Sequence, residues 1–248
     1  RRHTRFRNVT GVQTCALPIS SQHTLHSLLA SISISDNTIT SFNLGYDGIF
    51  ISPDNFSSID ISCNRIENTG VENPGQKGIN IGSSNTLSLT VNENSVTNFG
   101  EGIHIQDNFD YDATLDGQSI DISSNNCEAY TYGINVNAEH NTETDFWTNV
   151  NDNTLNNPSF GKSLSKEGGG DGIFIEEYMG SKDWTSSLSV NRNSCNGYSH
   201  GISTYSSYFD ELTINSNNSS NNITDGCRVV LRSEEHTSEL QSRFGISY

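Results

Sequence analysis

Ile120-Asp-Ile-Ser-Ser-Asn125, followed after a short gap by Gly133-Ile-Asn-Val136, is one copy of a motif that recurs along most of the chain. Apolar-x-apolar-x-x-Asn blocks stand at Ile32 to Asn37, Ile59 to Asn64, Leu89 to Asn94, Ile120 to Asn125, Thr148 to Asn153, Leu188 to Asn193 and Leu212 to Asn217. Their Asn residues are spaced 27, 30, 31, 28, 40 and 24 apart. Each block is followed by a second one, beginning at Gly48, Gly78, Gly102, Gly133, Gly172, Gly201 and Gly226. Alternation with period two means that each segment is a strand burying one face. Segments this short cannot cover that face alone, so they must stack on copies of themselves.

Stacking needs a partner about 4.8 Å away in the hydrogen-bonding direction, and a repeat of about 30 residues supplies one if the chain coils once per repeat. The expected fold is therefore all-β: a single-stranded parallel β-helix solenoid of about seven coils, with two strands per coil and irregular tails, whose right-handed winding is what the family resemblance given below implies. Pro53, Pro74 and Pro158 fall between the blocks, where no interior ladder needs their missing N–H. The recurrent Asn fits a sharp corner, since Asn tolerates the left-handed conformation, and stacked Asn amides can bond from coil to coil. A β-sandwich would explain alternation but not seven copies of one corner.

Through these two motifs the chain resembles the right-handed parallel β-helix superfamily, the pectin-lyase-like and parallel β-helix repeat proteins, over roughly residues 30–230. The resemblance implies the fold, and a setting outside the cell or on its surface. It does not choose among that group's secreted pectin-type lyases and polygalacturonases, phage tailspikes and adhesins.

The two ends read differently. Val9 to Ile19 resembles the translation of a sequencing-library adapter, and Arg232 to Ser242 its reverse complement, with the flanking residues fitting the same oligonucleotide. The expected organisation is thus 1–19 adapter-derived, 20–231 a parallel β-helix fragment of a longer protein, and 232–248 adapter-derived. Whole, the 248 residues carry 29 acidic and 13 basic side chains, for a net charge of −16. Residues 20–231 hold 26 of those acids and 7 of those bases, so the central piece is more acidic still. Such a surface repels phosphate, which argues against nucleic acid. No run reaches the roughly 18 apolar residues of a membrane span. The expected partner is a polysaccharide or surface glycan, met by a monomer.

Four cysteines lie in the central piece. Cys127 and Cys195 occupy the inward slot two residues after the corner Asn and read as small core fillers. Two coils apart, at about 10 Å, they are too far for a disulfide.

Chemistry belongs on the outward face, because the interior of such a fold is filled. In register, the position before each Gly stacks Asp47, Lys77, Glu101, Tyr132, Asp171, His200 and Asp225. The outward position of the next strand stacks Phe50, Asn80, His104, Asn135, Phe174, Ser203 and Arg228. Aromatic faces stack on sugar rings and carboxylates accept from sugar hydroxyls, which makes Phe50, Glu101, His104, Tyr132 and Phe174 candidate ligand-binding residues. The plain alternative is a solvated edge whose acids suit turns and suppress edge pairing.

A catalytic set would draw on Asp171, Glu176, Glu177, His200 and Arg228, which supply acids, a base and a cation; paired carboxylates perform glycoside hydrolysis. Asp171-Gly-Ile-Phe-Ile, Ser199-His-Gly-Ile and Cys227-Arg-Val are similar to polygalacturonase strands. The chain departs from that pattern, with Asn193-Ser194 in place of an Asp pair and Val230 where a Lys is expected. Asp107, Asp110, Asp112 and Asp116 form an acidic cluster placed on a loop, the donor type Ca²⁺ takes, though without EF-hand spacing. No cofactor is required, and Ca²⁺ is the one the sequence offers. Asp60 and Asp121 stand about two strand spacings apart, too far for a tight shared metal, with Arg65 nearby. The insertion carrying Lys162, Lys166 and Gly168 to Gly170 lacks the strand-to-helix context of a phosphate loop. The expected function is a non-catalytic scaffold for adhesion or glycan binding, the alternative being a polysaccharide hydrolase or lyase.

Overall fold

A computed structural model describes residues 4–6, 30–41, 46–52, 56–70, 76–84, 86–109, 117–140, 145–159, 170–179, 186–206 and 210–231. Every described element is a strand, and all pairing is parallel. The eight-stranded first sheet runs in strict chain order: Thr4–Phe6, Ser31–Ser35, Ser58–Ser62, Ser88–Asn92, Gln118–Ser123, Phe146–Asn151, Ser186–Asn191 and Glu211–Asn215. From Ser31 onward these are the first blocks of the motif. Its first strand lies in the segment set aside as adapter-derived, where an irregular tail was expected; Thr4, Arg5 and Phe6 pair with Ile32, Ser33 and Ile34.

The second sheet holds twelve strands in two rows. One row follows the corner Asn directly, as in Thr38–Ser41, Arg65–Asn68, Thr154–Asn156, Ser194–Asn196 and Asn218–Ser220. The other carries the Gly motif, as in Ile49–Ile51, Lys77–Ser84, Asp171–Met179, His200–Ser206 and Cys227–Leu231. Ser95–Phe109 and Asn126–His140 run through both rows. Each repeat therefore has three strand segments and not two, because the residues after Asn pair with their own counterparts. Cys127, Leu155 and Cys195 are consecutive register partners in that extra row. Both cysteines are fully buried and free, one repeat of spacing on either side of Leu155.

The corner is made by the residue before the Asn, a correction to the expected role of Asn itself. Asp36, Cys63, Glu93, Ser124, Asp152, Arg192 and Ser216 all have φ between 55° and 59°. For L-residues that conformation costs roughly 1–2 kcal/mol each, so something must repay it. The repayment is the Asn side chain, which the corner turns inward. Each Asn accepts at Oδ1 from the backbone N–H and from Nδ2 of the preceding Asn, the amide-to-amide bonds measuring 2.9–3.0 Å from Asn37 through Asn217. The other Nδ2 proton goes to the carbonyl of Ile34, Ile61, Val91, Ile122, Val150 or Val190. A buried amide with every site engaged is stabilising, whereas one missing partner would cost its desolvation.

Between the sheets lies one apolar cluster of the inward residues, among them Ile59, Ile61, Leu89, Val91, Ile120, Ile122, Val150 and Val190 from the first sheet, and Ile79, Ile81, Ile103, Ile105, Ile134, Val136, Ile173 and Ile175 from the second. The motif glycine is a packing requirement. A Cβ on Gly133 would meet the Gly172 carbonyl oxygen at 2.6 Å and the Leu155 side chain at 3.0 Å, and one on Gly172 would meet Gly201 O and Cys195 in the same way. The extra row of the second sheet packs against that glycine column.

Candidate functional site

Outward residues of the Gly-motif strands line up as the repeat spacing predicts. Phe50, Asn80, His104, Asn135, Phe174, Ser203 and Arg228 are consecutive register partners in one unbroken row. In the row before the glycines, Lys77 pairs with Glu101, Glu101 with Tyr132, and Asp171 with His200. Two residues further along the strands runs a third row, Gly82, Gln106, Asn137, Glu176, Tyr205 and Val230. Of this row, sequence reasoning singled out Glu176 and passed over Tyr205. Its signal was simple parity, since Tyr205 lies two residues after outward Ser203.

The three rows create two groupings. In the first, His104 Nδ1 lies 2.8 Å from Glu101 Oε2, and Asn135 Nδ2 donates to the same oxygen at 3.0 Å. Desolvation pushes the Glu101 carboxyl up, but the His104 contact and charge, with Asn135 and Lys77, outweigh it and hold the group below its ordinary range. His104 and Asn135 are buried here, so these residues form a closed polar knot. Upstream, Asp47 accepts from the Lys77 backbone N–H at 2.9 Å and from Asn80 Nδ2 at 2.6 Å. Phe50 remains part-exposed beside them.

The second grouping is open. Tyr132 and Phe174 have ring centroids 5.7 Å apart, Phe174 and Tyr205 5.4 Å, and the Arg228 guanidinium sits 5.5 Å from the Tyr205 centroid. The result is a diagonal stack across four repeats, with tilted rings of the kind aromatic quadrupoles favour, ending in a cation over a π face. All three rings are part-exposed and Arg228 is exposed. Burial, then the charges of Asp171, Glu101 and Tyr205, push the Tyr132 hydroxyl above its usual range, so it stays a neutral hydrogen-bond donor. Beneath the stack, Ser203 is fully buried, and its Oγ has no hydrogen-bond partner among the described residues.

Carboxylates flank this stack. Asp171 Oδ1 lies 2.7 Å from His200 Nδ1, and Asp225 Oδ2 lies 3.8 Å from His200 Nε2. Glu176, beside Tyr205 in register, accepts a short hydrogen bond from the Tyr178 hydroxyl. Two carboxylates one imidazole apart fall in the range that glycoside hydrolysis uses, roughly 5–10 Å, but the ring occupies the space a sugar oxygen and water would need.

Glu177 does not belong to the surface set. Strict alternation along Asp171–Met179 turns it inward, where it is fully buried between its register partners Ala138 and Ser206. Desolvation pushes its carboxyl up to about 7, against a smaller downward pull from the neighbouring Thr148 and Ser186 hydroxyls. Neither oxygen is in full hydrogen-bond geometry among the described residues. Asp107 is corrected for the same reason. It ends an alternation in the strand Ser95–Phe109, not on a loop, and is fully buried one register place from Ala138. Asp110, Asp112 and Asp116, the rest of the proposed Ca²⁺ ligands, lie outside the described residues, as do Lys162, Lys166 and Trp184. Among the described residues no group of three His, Cys, Asp or Glu is arranged to hold a metal ion. Asp60 and Asp121 are separated by Thr90 in register, as expected, while Arg65 pairs with Glu67 at 3.4 Å. No helix among the described residues is long and apolar enough to cross a membrane.

Comparisons with protein-family models, curated proteins and solved structures find no significant match to this chain.

Proposed function

We propose that the chain is a glycan-binding scaffold, with its repeats wound as a right-handed parallel β-helix of the pectin-lyase-like kind and displayed outside the cell or on its surface. The winding is supported by sequential parallel strands in two sheets, with repeats of 24 to 40 residues, and a parallel crossover is right-handed in nearly every known case. The observation that carries the binding reading is the Tyr132–Phe174–Tyr205 stack running on to Arg228. At about 4.8 Å per strand it extends for about 14 Å, a length suited to several sugars of an extended polymer. Phenol hydroxyls and the Glu176 and Asp225 carboxylates beside it supply donors and acceptors for sugar hydroxyls.

The alternative reading, hydrolysis, would need two carboxylates free to face the same bond. Here Glu177 lies in the core, Asp171 is engaged by His200, and Arg228 stacks on Tyr205. The test is affinity electrophoresis and calorimetry of the whole chain against neutral, cationic and anionic polysaccharides, with the Tyr205→Ala and Phe174→Ala variants alongside. At least one polymer is expected to bind, with a loss of ten-fold or more in either variant while their unfolding midpoints stay near wild type. Binding of no polymer, or binding indifferent to both substitutions, overturns the reading.

A further inference from the structure

Resting on that glycan-binding reading, we infer that the aromatic row selects amino-sugar polymers and rejects polyuronates. The stack has a carboxylate on each side. Asp171, buried and 2.7 Å from His200 Nδ1, adjoins Tyr132 closely enough to raise its phenol, and the more open Glu176 is the register neighbour of Tyr205 on the other side. Asp225, with 57% of its side chain exposed, extends the acidic flank past His200. A carboxylated polymer lying along the row would meet these groups at a few ångströms. There, like charges repel one another, and the repulsion is stronger beside the protein than in open water.

An ammonium group in the same place gains from two sources at once. It pairs with the flanking carboxylates, and it meets electron-rich ring faces. Arg228 already shows that these faces accept a cation, its guanidinium resting 5.5 Å from the Tyr205 centroid. Among the described residues Arg228 forms no ion pair, so a competing ammonium has only that contact to displace. Under it, in the outward row between Phe174 and Arg228, lies the unpartnered Ser203 hydroxyl. A ligand that reaches this hydroxyl offers it a partner, and a buried hydroxyl without one gains from any hydrogen bond.

The experiment compares a glucosamine hexamer, a glucose hexamer and a galacturonate hexamer by calorimetry on the full chain, in mildly acidic buffer at low and high salt. The glucosamine hexamer should bind at least ten-fold tighter than the glucose hexamer at low salt. Asp171→Asn with Glu176→Gln should bring the two within about three-fold of each other, and added salt should narrow the gap. The galacturonate hexamer should bind more weakly than either. If the glucose or galacturonate hexamer binds as tightly as the amino sugar, charge selection is overturned while glycan binding stands. Amino-sugar binding undiminished in Tyr205→Ala would be attraction to the acidic surface at large, and also overturns the inference. Binding of none of the three to the wild-type chain, with other polysaccharides also failing, removes the glycan-binding reading itself.

Discussion

Replacing Glu177 by Gln should remove one pH-dependent contribution to stability from the core. In the native chain the carboxyl is fully buried with its pKa pushed up to about 7 by desolvation, against 4.5 for an ordinary glutamate. A group whose folded pKa lies above its unfolded value holds its proton longer in the fold. Its contribution to stability is therefore complete below pH 4.5 and is lost as the pH rises through about 7. The shift corresponds to about 3 kcal/mol between those limits, at about 1.4 kcal/mol per pH unit. Among the described residues no counter-charge acts on Glu177: its register partners are Ala138 and Ser206, and the hydroxyls of Thr148 and Ser186 are the groups that pull its pKa down. Urea unfolding of wild type and Glu177→Gln, followed at closely spaced pH values, isolates the effect because every other titration cancels in the difference. The two should be nearly equal in stability near pH 4, with the Gln chain about 3 kcal/mol more stable by pH 8. A difference that stays flat across this range would refute the burial of an ionisable carboxyl at this place.

Asn125→Leu should destabilise by about 3 kcal/mol or more, read as a lower urea midpoint, because it strands the Asn94 N–H and Nδ2 and the Val91 carbonyl and takes one of two donors from Asn153 Oδ1 in the core. Gly133→Ala forces its new methyl against the Gly172 oxygen 2.6 Å away and should cost about 1–3 kcal/mol, or a fall of several degrees in Tm, with an unchanged far-ultraviolet spectrum. Deleting residues 126–153, which joins Asn125 to Thr154 and removes one whole repeat, should leave a single cooperative transition with a smaller m-value; a molten product would contradict repeat-by-repeat stacking.

The parts of the structure that repeat were legible in the sequence, and the parts that break a local rule were not. Seven equivalent Asn residues, spaced 24 to 40 apart, admit one stacking register, so the ladder and the outward rows through His104, Phe174 and Arg228 followed from counting. The corner residue was misplaced by one because Asn is the usual left-handed residue, whereas here Ser124 or Arg192 takes the strained φ so that Asn can face inward. Asp107 was read as part of a Ca²⁺-type acidic loop and Glu177 as an acid of an outward catalytic set. The alternation Ile103-His-Ile-Gln-Asp107 and Ile173-Phe-Ile-Glu-Glu177 pointed inward for both, and backbone pairing held that parity against the desolvation cost. Tyr205 escaped notice because its aromatic neighbour Phe174 lies 31 residues earlier and one row across, a relation visible only once adjacent rows are laid side by side.

The amide-to-amide bonds of the Asn column all run the same way, each Nδ2 from Asn37 to Asn193 giving one proton to the Oδ1 of the next Asn and no such bond running back. The column is thus a one-way polar wire whose links are interchangeable, and aligned amide dipoles reinforce one another along it. Duplicating or excising a complete link leaves the bonding pattern of the remaining links intact, while shifting the frame by one residue breaks it. Evolution of such a chain is free to vary its height in whole storeys, and the rows of side chains on its outer wall lengthen or shorten with it.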